Sequence, residues 1–374
     1  MAMKTILISG AEVRDARRGN RGAEHLLRES ASKLRSLGYV PAVTLGQVDP
    51  GLRGDLALKQ YVGNPRIRVL DRVVPGVDLG GLVTLNRLDG VLDASGYALG
   101  DPWGMHTAKW IARKYSQWNA RGVRIVALPQ SYGPFVTPGL GETVRSALSH
   151  CDLVIARDEQ SYQNLMSIGV DPSICMVSPD ITIAAGVGGP GKSRERRLVI
   201  VPNYNIVERN PRVEYIDCLR ATCEWGASRG YKVVGLLHEG VRDLRILQEV
   251  ADQAPLEVLD DLRGWAVKEY IANSSLVVAG RYHAVVAALS TETPVVTHSW
   301  SHKYRELLRD FGVEEWMCSP VSASETISLV ERISAVPQVE HLRINRRRIV
   351  VEIEEMWNRV QEVLRARDSR TAGR

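Results

Sequence analysis

Short apolar, β-branched runs alternate along this chain with segments whose apolar positions recur every three or four residues. In the first half Thr5–Ser9, Val123–Leu128, Leu153–Ala156 and Cys175–Val177 read as strands, with helices beginning near Gly22 and in RDEQSYQNLMSIG. A second series follows, with strands at Leu198–Val201, Lys232–Leu237, Leu256–Leu259, Leu276–Ala279 and Pro294–Thr297. Its helices are expected at Val213–Arg229, Asp243–Asp252 and Gly264–Asn273. Such alternation predicts an α/β fold of parallel sheets covered by helices on both faces. From about Glu340 to Arg367 one long helix is expected, because Ile349, Ile353, Met356, Trp357, Val360 and Leu364 fall on one face.

The stretch GVGGPGKSRERR, residues 186–197, has no apolar period and reads as a linker. The expected organisation is an N-terminal Rossmann-like domain at 1–187, a C-terminal one at 197–340, and a C-terminal helix and tail at 341–374. The tail DSRTAGR is expected to be disordered. Two such domains would face a cleft, and open α/β sheets bind ligands beyond the carboxyl ends of their strands.

Composition changes this picture little. A chain of 374 residues fits roughly two domains. The net charge of +5 suits an anionic small substrate or an anionic membrane surface, and falls short of a nucleic-acid-binding signature. Five scattered cysteines without a C-x-x-C pair argue against a disulfide framework or a zinc ribbon, and no metal is expected. The apolar run of MAMKTILISG is too short for a secretory signal, and no run approaches the roughly 18 residues that span a bilayer. A cytoplasmic protein is expected, with peripheral contact at the inner membrane face left open.

The candidate chemistry lies at strand ends. Arg281 and His283 follow one strand through Gly280, and Lys303 follows the next. Right-handed crossovers put both carboxyl edges on the same side of a sheet. A guanidinium, an imidazole and an ammonium can therefore converge on one small anion. A plain ion pair for Arg281 and a satisfied first-turn histidine are the bland alternatives. Near the start, Gly19-Asn20-Arg21-Gly22 opens a helix, with Glu24 in its first turn, and reads equally as an anion site or as ordinary capping. Arg157 directly follows a strand and is read either as a solvated arginine or as a cation facing Arg281. Gln130, in PQSYGPF, and His238, in His238-Glu239-Gly240, offer hydrogen-bonding groups at two further strand ends. Asp180 reads as a turn cap.

On several of these motifs the chain resembles the polysaccharide pyruvyl transferase family. The matching pieces are GNRGAE, QSYGPF at 130–135, ARDEQSYQNLMSIGV at 156–170, SPD at 178–180, GRYHAVVAALSTETPVV at 280–296, and Lys303 with a helix ending at Gly312. The resemblance implies a GT-B-like pair of Rossmann-like domains. It also implies transfer of the pyruvyl group of phosphoenolpyruvate onto two hydroxyls of a sugar, forming a cyclic ketal and releasing phosphate. No cofactor is implied, since phosphoenolpyruvate is a co-substrate. The acceptor would be a saccharide, free or lipid-linked. In this reading Arg281, His283 and Lys303 are the catalytic and donor-binding set, joined by Arg157. Asn20, Gly22, Glu24, Gln130, Tyr282 and His238 are expected against substrate. Tyr282 stands where the family commonly has leucine, and Ala23 where many members carry an acid. Trp300-Ser301-His302 before the lysine also departs from the family pattern. A GT-B glycosyltransferase using a nucleotide sugar is the alternative.

Overall fold

A computed structural model describes residues 3–15, 19–63, 81–186, 194–209, 211–335 and 339–366. The chain forms two units that are not contiguous in sequence. The first comprises Met1–Arg14, Leu26–Ile181 and Glu352–Arg374, and the second Asp15–His25 and Thr182–Val351.

The first unit holds β1 (Thr5–Ser9), β2 (Val40–Thr44), β3 (Lys59–Tyr61), β4 (Leu82–Val83), β5 (Gly90–Asp93), β6 (Arg124–Gln130), β7 (Leu153–Ala156) and β8 (Cys175–Val177). All pair in parallel, in the order β4-β3-β2-β1-β5-β6-β7-β8. The order reverses between β1 and β5, whose carboxyl ends are Ser9 and Asp93. Central strands such as TILIS and LVIA are buried throughout, as strands covered by helices on both faces must be. The helices here are α1 (Arg21–Ser36), α2 (Pro50–Asp55), α3 (Gly104–Asn119), α4 (Leu140–Leu148) and α5 (Glu159–Ser167). One face of the sheet, α3 and α4 build an apolar core around Tyr115, Trp118, Ile125, Tyr132 and Leu148.

The second unit holds β9 (Glu195–Val201), β10 (Lys232–Leu236), β11 (Glu257–Leu259), β12 (Ser274–Ala279), β13 (Val295–His298) and β14 (Met317–Cys318). These too are parallel, in the order β11-β10-β9-β12-β13-β14, with the reversal between β9 and β12. Its helices are α6 (Tyr204–Val207), α7 (Arg212–Ser228), α8 (Gly240–Ala251), α9 (Gly264–Ala272), α10 (Tyr282–Ser290), α11 (His302–Asp310) and α12 (Ala323–Ala335). In α10, YHAVVAALS, every position except His283 is buried. The small apolar residues seat the helix deep against the sheet and leave the imidazole at its outer edge.

The last helix, α13 (Val339–Arg365), carries Ile349, Ile353, Met356, Trp357, Val360 and Leu364 as one buried stripe. The division between the units falls inside it and inside α1. A linear reading places boundaries between contiguous blocks and so misses that the segment Asp15–His25 belongs with the second unit. The linker expectation also differs. Residues 187–193 and the tail lie outside the described residues, but β9 already begins at Glu195. Arg197 is buried there, its guanidinium 3.9 Å from the Tyr270 ring and within 3.2 Å of Ser274 Oγ. A planar cation with an aromatic partner extends a strand where a run of charges had suggested a loop.

Candidate active site

The site is assembled at the carboxyl edge of the second sheet. β12 ends at Ala279, and Gly280 turns the chain into α10. A Cβ on Gly280 would lie 2.7 Å from Ile206 and 3.0 Å from Asn203, so only glycine fits. Its carbonyl accepts from Asn203 Nδ2 (2.6 Å) and Tyr304 Oη (2.7 Å), which fixes the turn. Arg281 occupies the N-cap position of α10.

Arg281 does not stand open to an incoming anion. Its Nε and Nη2 donate to the two oxygens of Asp243, each at 2.7 Å, and Nη1 donates to Glu239. Asp243, on α8, is fully buried, whereas the Glu239 side chain is 35% exposed. Burial opposes the charge on Arg281, but the two carboxylates outweigh it and hold the guanidinium pKa above its ordinary value. The expected clamp is thus occupied by carboxylates of the protein itself. Glu239 and Asp243 went unassigned in the sequence, where nothing tells which carboxylate an arginine will meet.

His283 is the second residue of α10, with its ring edge-on to Tyr282, centroids 5.3 Å apart. Tyr282 is buried against Tyr304 at 5.7 Å, and the Lys303 ammonium lies 5.2 Å from the Tyr282 ring and 5.6 Å from Tyr304. The Tyr282–Tyr304 pair therefore forms a common wall for Arg281, His283 and Lys303. The ammonium also lies 5.0 Å from the Trp300 ring, so the Tyr282 and Trp300 departures together supply the aromatic surface on which it rests.

The start of α1 closes the other side of His283. A Cβ on Gly22 would come within 2.0 Å of His283 Nδ1, so the helix backbone and the imidazole pack with nothing between them. Asn20 caps this helix, its Oδ1 accepting from the Ala23 amide at 3.1 Å. Glu24 is buried, 3.9 Å from Arg21, and fits against Gly264, where a Cβ would meet Glu24 Oε1 at 2.0 Å. The Arg21 amide donates to the His238 carbonyl at 3.3 Å.

His238 is buried, and neither ring nitrogen has a hydrogen-bond partner among the described residues. Burial pushes its pKa well below the usual imidazole range, reinforced by His283, Arg281, His25 and Arg21. A neutral imidazole with two unused nitrogens is an acceptor and a donor held ready beside His283. Arg21 and His25 were not singled out in the sequence. Their signal was position, since Arg21 opens the helix that follows Gly19-Asn20 and His25 begins its second turn.

Two expected residues lie in the first unit. Arg157 follows β7 and is buried, with Nη1 3.1 Å from Asp180 Oδ2 and Nη2 2.6 Å from Ser131 Oγ. Asp180 is consequently an ion-pair partner rather than a turn cap. Gln130 is buried at the end of β6. The other eight expected residues belong to the second unit. Among the described residues no group of three His, Cys, Asp or Glu side chains could hold a metal ion, and no helix is long and apolar enough to cross a membrane.

The fold is that of the GT-B-like class. The chain is similar over 97% of its length to 97% of S. aureus MnaA, solved with UDP, at 14% identity and a TM-score of 0.63. It is similar over 98% of its length to all of HepE from Anabaena, solved with UDP and glucose, at 12% identity and a TM-score of 0.60. UDP-GlcNAc 2-epimerase from Neisseria meningitidis, bound to UDP-GlcNAc, aligns over 97% of this chain and 99% of its own, at 12% identity and a TM-score of 0.54. At such identities the likeness concerns fold alone. No curated protein sequence matches significantly. The sequence profile of the polysaccharide pyruvyl transferase family matches residues 89–302, more than half of the chain, and the chain belongs to that family. The matched segment contains His238, Arg281 and His283.

Proposed function

We propose that this protein moves the pyruvyl group of phosphoenolpyruvate onto two hydroxyls of one sugar of a polysaccharide or its precursor. The observation that carries the reading is the family match across the segment holding Arg281 and His283, with an imidazole pair at that point of the fold. In this scheme a proton is added to the donor's methylene carbon, and the C2 centre takes on oxocarbenium character. A first sugar hydroxyl forms a C–O bond to C2 and loses its proton. The C2–O bond to phosphate breaks, and the second hydroxyl closes the ketal, losing its proton in turn. One hydroxyl proton replaces the one given to carbon, and the other leaves with phosphate.

His283 is the group assigned to proton transfer, and Lys303 the ammonium that meets the donor's negative charge. Asp243 fixes the plane of Arg281, and Glu239 holds its remaining arm until a substrate anion displaces it. The test is incubation with phosphoenolpyruvate and candidate glycans, following phosphate release and the mass gain of a pyruvyl ketal. Turnover of nucleotide sugars instead, with no phosphate released from phosphoenolpyruvate, would replace this reading with glycosyl transfer.

A further inference from the structure

In the first unit, residues 102–141 contain no aspartate or glutamate, while Lys109, Arg113, Lys114, Arg121 and Arg124 fall among them. α3 lies in this stretch and has two unlike faces. Ala108, Ile111, Tyr115 and Trp118 are buried in the apolar core. His106, Lys109, Trp110, Arg113 and Gln117 recur at the spacing of one helix face, and all are exposed. Lys109 and Arg113 make no hydrogen bond or ion pair among the described residues. Trp103, which precedes the helix, and Trp110 are each 48% exposed, and they are two of the three exposed tryptophans among the described residues. Both rings are held in place. That of Trp103 meets Tyr97 edge-on at 5.9 Å, and the Lys114 ammonium lies 4.1 Å from that of Trp110. Asp101 accepts from the amides of Val136 (2.7 Å) and Thr137 (2.9 Å), which ties the loop after β6 to the segment leading into Trp103. That loop presents Val136, 82% exposed. α4, packed against α3, adds one exposed acid and one exposed base, Glu142 and Arg145, so the excess positive charge remains.

Two features of this face need a partner of one kind. Indole rings and a valine left in water gain by entering an apolar phase while keeping the indole N–H at its polar boundary. Unpaired cations beside them gain from concentrated negative charge. A second copy of the same face would set cations against cations. A soluble acidic polymer would use the cations and leave Val136 in water. A layer of anionic lipid uses both, with headgroup phosphates against Lys109 and Arg113 and the acyl boundary under Trp103, Trp110 and Val136. We infer that the outer face of α3 and the Val136 loop dock the first unit on an anionic bilayer surface. The inference stands apart from the pyruvyl-transfer reading, because lipid binding needs no substrate.

Co-sedimentation of the whole protein with vesicles tests this. The wild type is expected to bind vesicles of phosphatidylglycerol and phosphatidylcholine in equal parts, and to bind pure phosphatidylcholine much more weakly. Lys109→Glu/Arg113→Glu should lower partitioning onto the anionic vesicles by at least about 10-fold, as loss of two surface cations implies. Trp103→Ala/Trp110→Ala should bind them more weakly and lose what remains as salt is raised, because charge alone is then left. All four side chains are exposed, so both variants are expected to keep the wild-type unfolding midpoint and the wild-type phosphate release with a water-soluble acceptor. Failure of the wild type to bind anionic vesicles, or equal binding to both vesicle types, would overturn the inference. So would variants that bind as the wild type does. Capture by a soluble acidic polymer such as polyglutamate without vesicle binding would reassign the face to polymer, and self-association abolished by either variant would reassign it to a second copy.

Discussion

Arg157 and Arg281 stand at comparable places in two similar units. Each follows a buried strand of a parallel sheet, and each meets a fully buried aspartate, Asp180 or Asp243. The difference lies in what surrounds them. Arg157 is buried with its carboxylate and a serine hydroxyl. Arg281 shares its guanidinium with the partly exposed Glu239 and stands among His283, His238, His25 and Arg21. An arginine at a strand end is therefore a weak sign of function. Groups that change protonation beside it are the stronger one.

The largest effect should come from the imidazole of His283. His283→Ala is expected to lower turnover by about 10²- to 10⁴-fold, the range of general acid–base catalysis. Phosphate release from phosphoenolpyruvate in the presence of acceptor measures it. A folded variant with near-normal turnover removes the imidazole from the chemistry.

Next come the two ion pairs, in which the units should behave alike. Arg157→Ala and Arg281→Ala each strand a buried aspartate, and each is expected to destabilise its unit by about 3–5 kcal/mol in denaturant unfolding. Adding Asp180→Asn or Asp243→Asn should recover part of that loss, because the stranded charge is then gone. If Arg281→Ala proves harmless to stability, its bond to Asp243 is not the structural tie described here. A raised donor KM in that variant cannot be read as loss of a clamp until folding has been measured.

Acid should separate the units again. His298, buried at the end of β13, has its pKa lowered by burial to about 4, and that of His238 is lowered as well. The unfolded chain then binds protons that the native second unit does not. Stability is complete above about pH 6.5 and is lost as pH falls towards 4, by about 3 kcal/mol for His298 alone. Urea midpoints measured between pH 7.5 and 4 should fall accordingly, and less steeply in His298→Gln. Parallel curves for the two proteins would show that His298 is not responsible.

Most of the second series was legible to within a few residues, because Leu198–Val201, Leu276–Ala279 and Val295–Thr297 are solid apolar runs, whereas β14, α6 and α12 went unanticipated. Much of the region 37–122 was not. β3 is KQY and β4 only Leu82–Val83, too short for a periodic signal, and α3 exposes Trp110 while turning Lys114 inward to Ser9. The placement of Arg281, His283 and Lys303 at adjacent strand ends follows from crossover handedness alone. Their partners do not. Asp243 lies 38 residues from Arg281 in sequence, and Gly22 contacts an imidazole across most of the chain. Pairings at that separation are decided by packing, which a single sequence does not display.

Glycine gives the finest comparison between the units. At Gly54, in α2 of the first unit, an added Cβ meets nothing within 4 Å, whereas at Gly22 it would lie 2.0 Å from His283 Nδ1. Gly54→Ala should therefore be neutral or stabilising by up to about 1 kcal/mol, as expected for a helical glycine. Gly22→Ala must move either the first turn of α1 or the imidazole. An overpacked contact of this kind typically costs about 1–3 kcal/mol. The greater consequence is for geometry. A shift of the ring by about 1 Å is enough to lower turnover by up to about 100-fold while leaving the imidazole chemically intact. The drop should appear in kcat with little change in donor KM, which distinguishes a displaced proton-transfer group from a damaged anion site. If Gly22→Ala retains full kcat, α1 does not fix the His283 ring, and the first turn of GNRGAE returns to ordinary helix capping.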